Sequence, residues 1–192
     1  MPRAAATAGG LIALLLACND AAPPPVPAAP VARALDDTPF DPLADREHEI
    51  VVLVFVTPDC PVSNRYAPEL SRIAASTPAD RVAWWLVYPD PDVRSAAIDA
   101  HRSSYALAIP ALRDPEHVLV ARAQAKVTPE AAVFANGTLV YHGRIDDRVP
   151  EFGRAKPQPS VRDLQDALTA VLAGQPPDHE TATAVGCPIG DL

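Results

Sequence analysis

Three cysteines could carry reactive chemistry in this chain, and Cys18, Cys60 and Cys187 lie far apart. Cys60 sits in TPDCPVSN, residues 57–64, where an apolar run ends and a helical pattern begins. The thiolate, not the thiol, is the nucleophile, and a cysteine in the first turn of a helix faces unpaired amides and the positive end of the macrodipole. The pKa of Cys60 is therefore expected to fall, with the adjacent Asp59 opposing the shift. Ser63 stands where a Cys-x-x-Cys site has its second thiol, so a local two-thiol cycle cannot run. Its hydroxyl is expected to donate to the Cys60 sulfur instead. The five histidines are scattered, and no Cys-x-x-Cys or His-x-x-x-His pair is present. The sequence thus points to no metal site, no c-type haem and no cofactor. His101 and His142 read as surface or hairpin residues, and thiol exchange requires neither as a base.

The elements around these residues alternate. EIVVLVFVT, 49–57, is a continuous apolar run rich in β-branched residues, as expected of a strand buried on both faces. Across 61–76, Val62, Tyr66, Leu70, Ile73 and Ala74 recur at helical spacing, with Pro68 inside the helix removing one backbone donor. RVAWWLVY, 81–88, reads as a second strand, and Asp90 and Pro91 as the cap and first turn of a helix running to about Tyr105. EHVLVARAQ reads as a further helix. EAAVFA and TLVYHGRI read as strands of a hairpin turning at Asn136-Gly137. Ser160 and Asp163 of SVRD form a capping box, and Val161, Leu164, Leu168, Val171 and Leu172 mark one apolar face of the helix it opens. Residues 175–192 form a polar tail that holds Cys187 in GCPIG.

The ends have other compositions. Residues 1–17, MPRAAATAGGLIALLLA, have the layout of an export signal. Their apolar stretch of about fourteen residues is shorter than the roughly 20 a spanning helix needs. LLAC at 15–18 resembles a bacterial lipobox, which implies diacylation of Cys18 and anchoring to a membrane in the cell envelope, on the periplasmic side. Residues 18–37 are a Pro/Ala-rich linker, expected to be an extended spacer that buries nothing. One domain is expected over 38–174, on a length of 192 residues. Fourteen arginines and two lysines against 24 acidic residues leave a net charge of −8, which argues against nucleic acid as a partner. An exported protein works where disulfides persist.

TPDCPVSNRYAPEL, together with VTPEAAVFANGTLVYHGRIDDR, resembles the redoxin class of thioredoxin-like proteins, which includes the AhpC/TSA peroxiredoxin and TlpA-type branches. The resemblance implies an α/β thioredoxin-like fold with a mixed central sheet flanked by helices. It implies Cys60 as nucleophile, and Thr128-Pro129 as the cis-proline loop that lies against the sulfur and orients an incoming disulfide or peptide. Thr57 keeps the threonine of the peroxiredoxin pattern Pro-x-x-x-Thr-x-x-Cys, but Leu53 occupies the proline position. The peroxide-polarising arginine cannot be assigned, although Arg144 and Arg148 follow the hairpin. Similar longer redoxin-like proteins carry a cysteine in the C-terminal tail, which implies Cys187 as the partner that resolves a mixed disulfide or sulfenic acid on Cys60. The tail beyond Gly174 reaches up to about 43–47 Å when extended, well over a domain radius of roughly 15 Å. Three functions stay open: a thiol-disulfide oxidoreductase acting on protein or small-molecule thiols and disulfides, a thiol peroxidase acting on peroxides, and a non-enzymatic lipoprotein with a permanent Cys60–Cys187 disulfide.

Overall fold

The computed structural model describes Met1 and residues 32–190. The expected export signal, Cys18 and the expected linker up to residue 31 lie outside the described residues.

β1 (Ile50–Phe55) is buried along its whole length, as its continuous apolar run requires. It pairs in parallel with β2 (Val82–Tyr88), and β2 with the short edge strand β3 (Ala111–Arg113). On its other side β1 pairs antiparallel with β5 (Glu130–Ala135), which turns into β6 (Thr138–Gly143). Asn136 and Gly137 make that turn with φ of 48° and 78°, the left-handed conformation that a two-residue hairpin of this sense needs. β7 (Thr181–Ala182) completes a sheet ordered β3-β2-β1-β5-β6-β7. A separate pair joins β4 (Val127–Thr128) to β8 (Cys187–Pro188).

Side chains alternate across β1 and define two cores. Val52, Val54 and Val56 pack with Tyr66, Leu70 and Ile73 of α1 (Pro61–Ser76), Ile98 of α2 (Ser95–Ser104), and Leu164 and Leu168 of α4 (Asp163–Leu172). Val51, Leu53 and Phe55 face Leu119 and Ala123 of α3 (Val118–Ala123) and Phe134. A fully buried side chain of this kind contributes about 1.5–3 kcal/mol relative to exposure. Both cores hold the C-terminal end of β1, and with it the turn that carries Cys60.

Four expectations are corrected. The spacer ends earlier than residue 37: Ala32 is buried, and Arg33 exchanges backbone hydrogen bonds with Arg113 at 2.8 Å each, which extends the sheet edge beyond β3. α2 begins at Ser95, because Asp90 accepts from Asp92 N–H in a local turn and does not cap the helix. α4 begins at Asp163 with no side-chain cap, because the Ser160 N–H bonds Asp147 at 2.6 Å and Asp163 is held by Arg144. The tail from 175 is part of the fold, returning as β7 and β8.

Candidate functional site

Cys60 is the N-cap of α1, with Pro61 in the first helical turn and extended backbone at φ −87° and ψ 110°. The Cys60 N–H bonds the Thr57 carbonyl at 3.2 Å, closing the turn that leaves β1. That backbone bond is the role the structure gives Thr57, whose hydroxyl is not among the groups bonded to the sulfur. The Ser63 N–H donates to Cys60 Sγ at 3.4 Å. The Ser63 hydroxyl is buried without an ordinary hydrogen-bond partner, which leaves it able to turn to the sulfur once that is charged.

The Thr128–Pro129 peptide is cis, and the Thr128 carbonyl oxygen lies 3.1 Å from Cys60 Sγ. β8 then brings the tail onto this loop, with Thr128 opposite Cys187 and Val127 opposite Pro188. Gly186 makes the close approach possible, since a Cβ there would stand 2.1 Å from the Thr128 carbonyl oxygen. Cys187 Sγ donates to Cys60 Sγ at 2.8 Å, and both are free thiols. Two sulfurs separated by 127 residues thus meet at a helix N-terminus.

Their electrostatics diverge. Burial pushes the Cys60 thiol up, but the Cys187 thiol and the Ser63 amide and side chain outweigh it and bring the pKa down to about 7 from 9.0. Cys187 is pushed up to about 11, first by burial and then by the Cys60 sulfur that its proton bonds. At neutral pH Cys60 is therefore about half thiolate, while Cys187 keeps its proton.

Sequence reasoning missed two features here. His101 is buried in α2 and is not a surface residue. Asn64 Nδ2 donates to the Pro58 carbonyl at 2.9 Å, so its Oδ1 accepts from His101 Nε2 at 2.8 Å, and Tyr88 Oη lies 2.7 Å from His101 Nδ1. This chain ties α2 and β2 to the carbonyl two residues before Cys60. Burial lowers the His101 pKa, opposed by Asp59. The only signal in the sequence was a histidine on the apolar side of a helix, which is silent about partners. The second feature is a cavity of about 290 Å³ beside the tail, lined by Thr57, Asp90, Asp92, His117, Thr128 and Pro188, among others. A larger cavity of about 520 Å³ lies at the far end of the strands, around Glu49 and Asn136, away from both sulfurs.

Other candidates sit elsewhere. Arg144 binds Asp163 at 2.8 and 3.1 Å, and Arg148 lies 3.4 Å from Asp146 and 3.8 Å from Glu69. Both are committed to carboxylates, and neither bonds the Cys60 sulfur. His142 lies in β6 with Nδ1 3.6 Å from Glu130, as a hairpin residue. Cys18 lies outside the described residues.

No protein-family model and no curated protein matches the sequence. Solved structures do match. A hypothetical protein from Sinorhizobium meliloti aligns with a TM-score of 0.70 at 22% identity, over 83% of this chain and 88% of that one. An uncharacterized conserved protein from Geobacillus kaustophilus aligns with a TM-score of 0.71 at 22% identity, over 86% and 90%. A secreted Mycobacterium tuberculosis disulfide oxidoreductase homologous to E. coli DsbE aligns with a TM-score of 0.50 at 27% identity, over 74% and 93%. The fold is thioredoxin-like. Within the thioredoxin-like fold, Cys60 at the β1–α1 junction and the cis Thr128–Pro129 peptide against it are the residues the sequence resemblance pointed to. Ser63 occupies the local position, and the sulfur that lies beside Cys60 is that of Cys187 in the C-terminal tail.

Proposed function

We propose that this protein is a thiol-disulfide oxidoreductase whose redox pair is Cys60 and Cys187. One observation carries the reading: the two sulfurs are 2.8 Å apart, one of them at a helix N-cap and half-ionised at about pH 7. A disulfide needs an S–S separation of roughly 2.05 Å, so oxidation requires a shift of less than about 1 Å. Its partners are protein or small-molecule thiols and disulfides. The likeness to a secreted disulfide oxidoreductase accords with this chemistry and with export. The apolar N-terminal stretch and LLAC add a membrane anchor through a diacylated Cys18 in the cell envelope. A peroxidase of the AhpC/TSA kind has less support, since Arg144 and Arg148 are bound to carboxylates elsewhere and Leu53 replaces the pattern's proline.

Equilibration in glutathione redox buffers tests the reading. The pair should interconvert between dithiol and disulfide, and both Cys60→Ala and Cys187→Ala should abolish the intramolecular disulfide, so that an oxidised test thiol is held as a mixed disulfide on the remaining cysteine and not turned over. A potential far below roughly −300 mV, with no exchange, would make the bond structural. For the anchor, Cys18→Ala should release the protein from the membrane fraction, and retention of the variant there would refute acylation.

A further inference from the structure

We infer that an external thiol or disulfide exchanges with this protein at Cys187, while Cys60 stays buried as the thiolate that leaves and returns. This rests on the reading of Cys60 and Cys187 as a redox pair and reverses the order that the sequence implied, in which Cys60 meets the partner and Cys187 resolves.

Burial and position carry the inference. Cys60 is 0% exposed, so in the closed arrangement no incoming sulfur can touch it. Its Sγ is surrounded by the Thr128 carbonyl at 3.1 Å, the Ser63 amide at 3.4 Å and Cys187 Sγ at 2.8 Å. Thiol-disulfide exchange needs the nucleophile in line with the bond that breaks, behind the attacked sulfur. Cys187 is only half-buried and is the one member of the pair with exposed surface. It sits on a strand laid over the cis-proline loop, and the next three residues, Pro188, Ile189 and Gly190, line the cavity of about 290 Å³ that also holds Thr57 and Thr128. Neither sulfur lines that cavity, whose tail wall begins one residue beyond Cys187, so the exposed surface of Cys187 carries the inference.

The step balances. A substrate thiolate attacks Cys187 Sγ, a new S–S bond forms there, and the Cys187–Cys60 bond breaks with its electron pair going to Cys60. The Ser63 amide receives the Cys60 thiolate, and a lower-pKa thiol leaves faster. A second substrate thiolate then attacks the substrate sulfur of the mixed disulfide. The substrate disulfide departs, Cys187 takes a proton from solvent, and two electrons have passed from substrate to protein. Run backwards, the same path reduces a substrate disulfide, with Cys60 attacking the mixed disulfide at Cys187.

Two measurements decide it. Oxidised wild-type protein is mixed with glutathione, quenched in acid and mapped by mass spectrometry; glutathione on the peptide containing Cys187 supports the inference, and glutathione on Cys60 overturns it. If the adduct is too short-lived to collect, the single variants Cys60→Ser and Cys187→Ser decide by their rates with the neutral dipyridyl disulfide at neutral pH. An accessible Cys60, with its larger thiolate fraction, would make Cys187→Ser the faster. Under the inference it is slower than Cys60→Ser, by about tenfold or more, despite that thiolate fraction. Equal rates, or a faster Cys187→Ser, overturn it. Wild-type protein that forms no reversible Cys60–Cys187 disulfide would refute the redox-pair reading itself, a result distinct from either site of exchange.

Discussion

Cys187 and Cys60 fix each other's protonation, because the proton on Cys187 stabilises a charge on Cys60 and that charge holds the proton in place. The thiolate absorbance of the reduced protein should therefore rise in two steps, at about pH 7 and about pH 11. Replacing the tail donor by Cys187→Ala should move the lower step upward; a midpoint that stays at about 7 would show that Ser63 alone sets it. The Cys60 value lies below the 9.0 of an unperturbed thiol, so its contribution to stability is fully present above about 9 and lost as pH falls through about 7. Cys187 acts oppositely, destabilising the reduced fold as pH rises from 9.0 through about 11. His101 and Asn64 make a second prediction. Asn64→Leu strands the buried His101 ring and the Pro58 carbonyl, and should cost about 1–3 kcal/mol in urea unfolding. An unchanged midpoint would mean the chain of bonds supports nothing.

The elements differ in how well the sequence announced them. β1, α1, β2 and the β5–β6 hairpin carry long apolar patterns or an Asn-Gly turn, and their expected positions agree with the structure to within a few residues. β4, β7 and β8 are two residues each, too short to show any period, and β8 depends on a partner that no local pattern names. The same reason hid how the site closes, although the resemblance had named Cys187 as the partner of Cys60. Cys60 was legible because a strand-to-helix junction is a local signal, whereas the docking of Cys187 depends on Gly186 lying flat on the Thr128–Pro129 peptide, a contact across more than fifty residues. Gly186→Val tests that contact. Its Cβ would meet the Thr128 carbonyl oxygen at 2.1 Å, so β8 must lift from β4. Lifting a segment this short should cost about 1–3 kcal/mol. The equilibrium constant for forming the disulfide against glutathione should then fall by about tenfold or more, since the tail loses effective concentration at Cys60. Retention of the wild-type constant would mean that Cys187 finds Cys60 without β8.

For the whole molecule, the pair closes nearly the entire domain into one loop. β1 and the tail are brought together by two cores and by β7, so the reduced fold already holds Cys187 in place, and oxidation adds little order to the native state. The gain falls on the unfolded chain, where a bond across 127 residues removes loop entropy worth about 5 kcal/mol at most in the chain-entropy model. Oxidised protein should therefore unfold at a clearly higher urea concentration than reduced protein, by about 3–5 kcal/mol on extrapolation to water. The double variant Cys60→Ala/Cys187→Ala should show no response to reductant. By linkage, the same difference makes the folded disulfide harder to reduce than the same bond in the unfolded chain, by about 60–110 mV. Equal unfolding midpoints with and without reductant would mean that the pair is strained or unformed in solution. A gap near the upper end would set the protein among strong holders of its disulfide, giving electrons up readily and accepting them slowly.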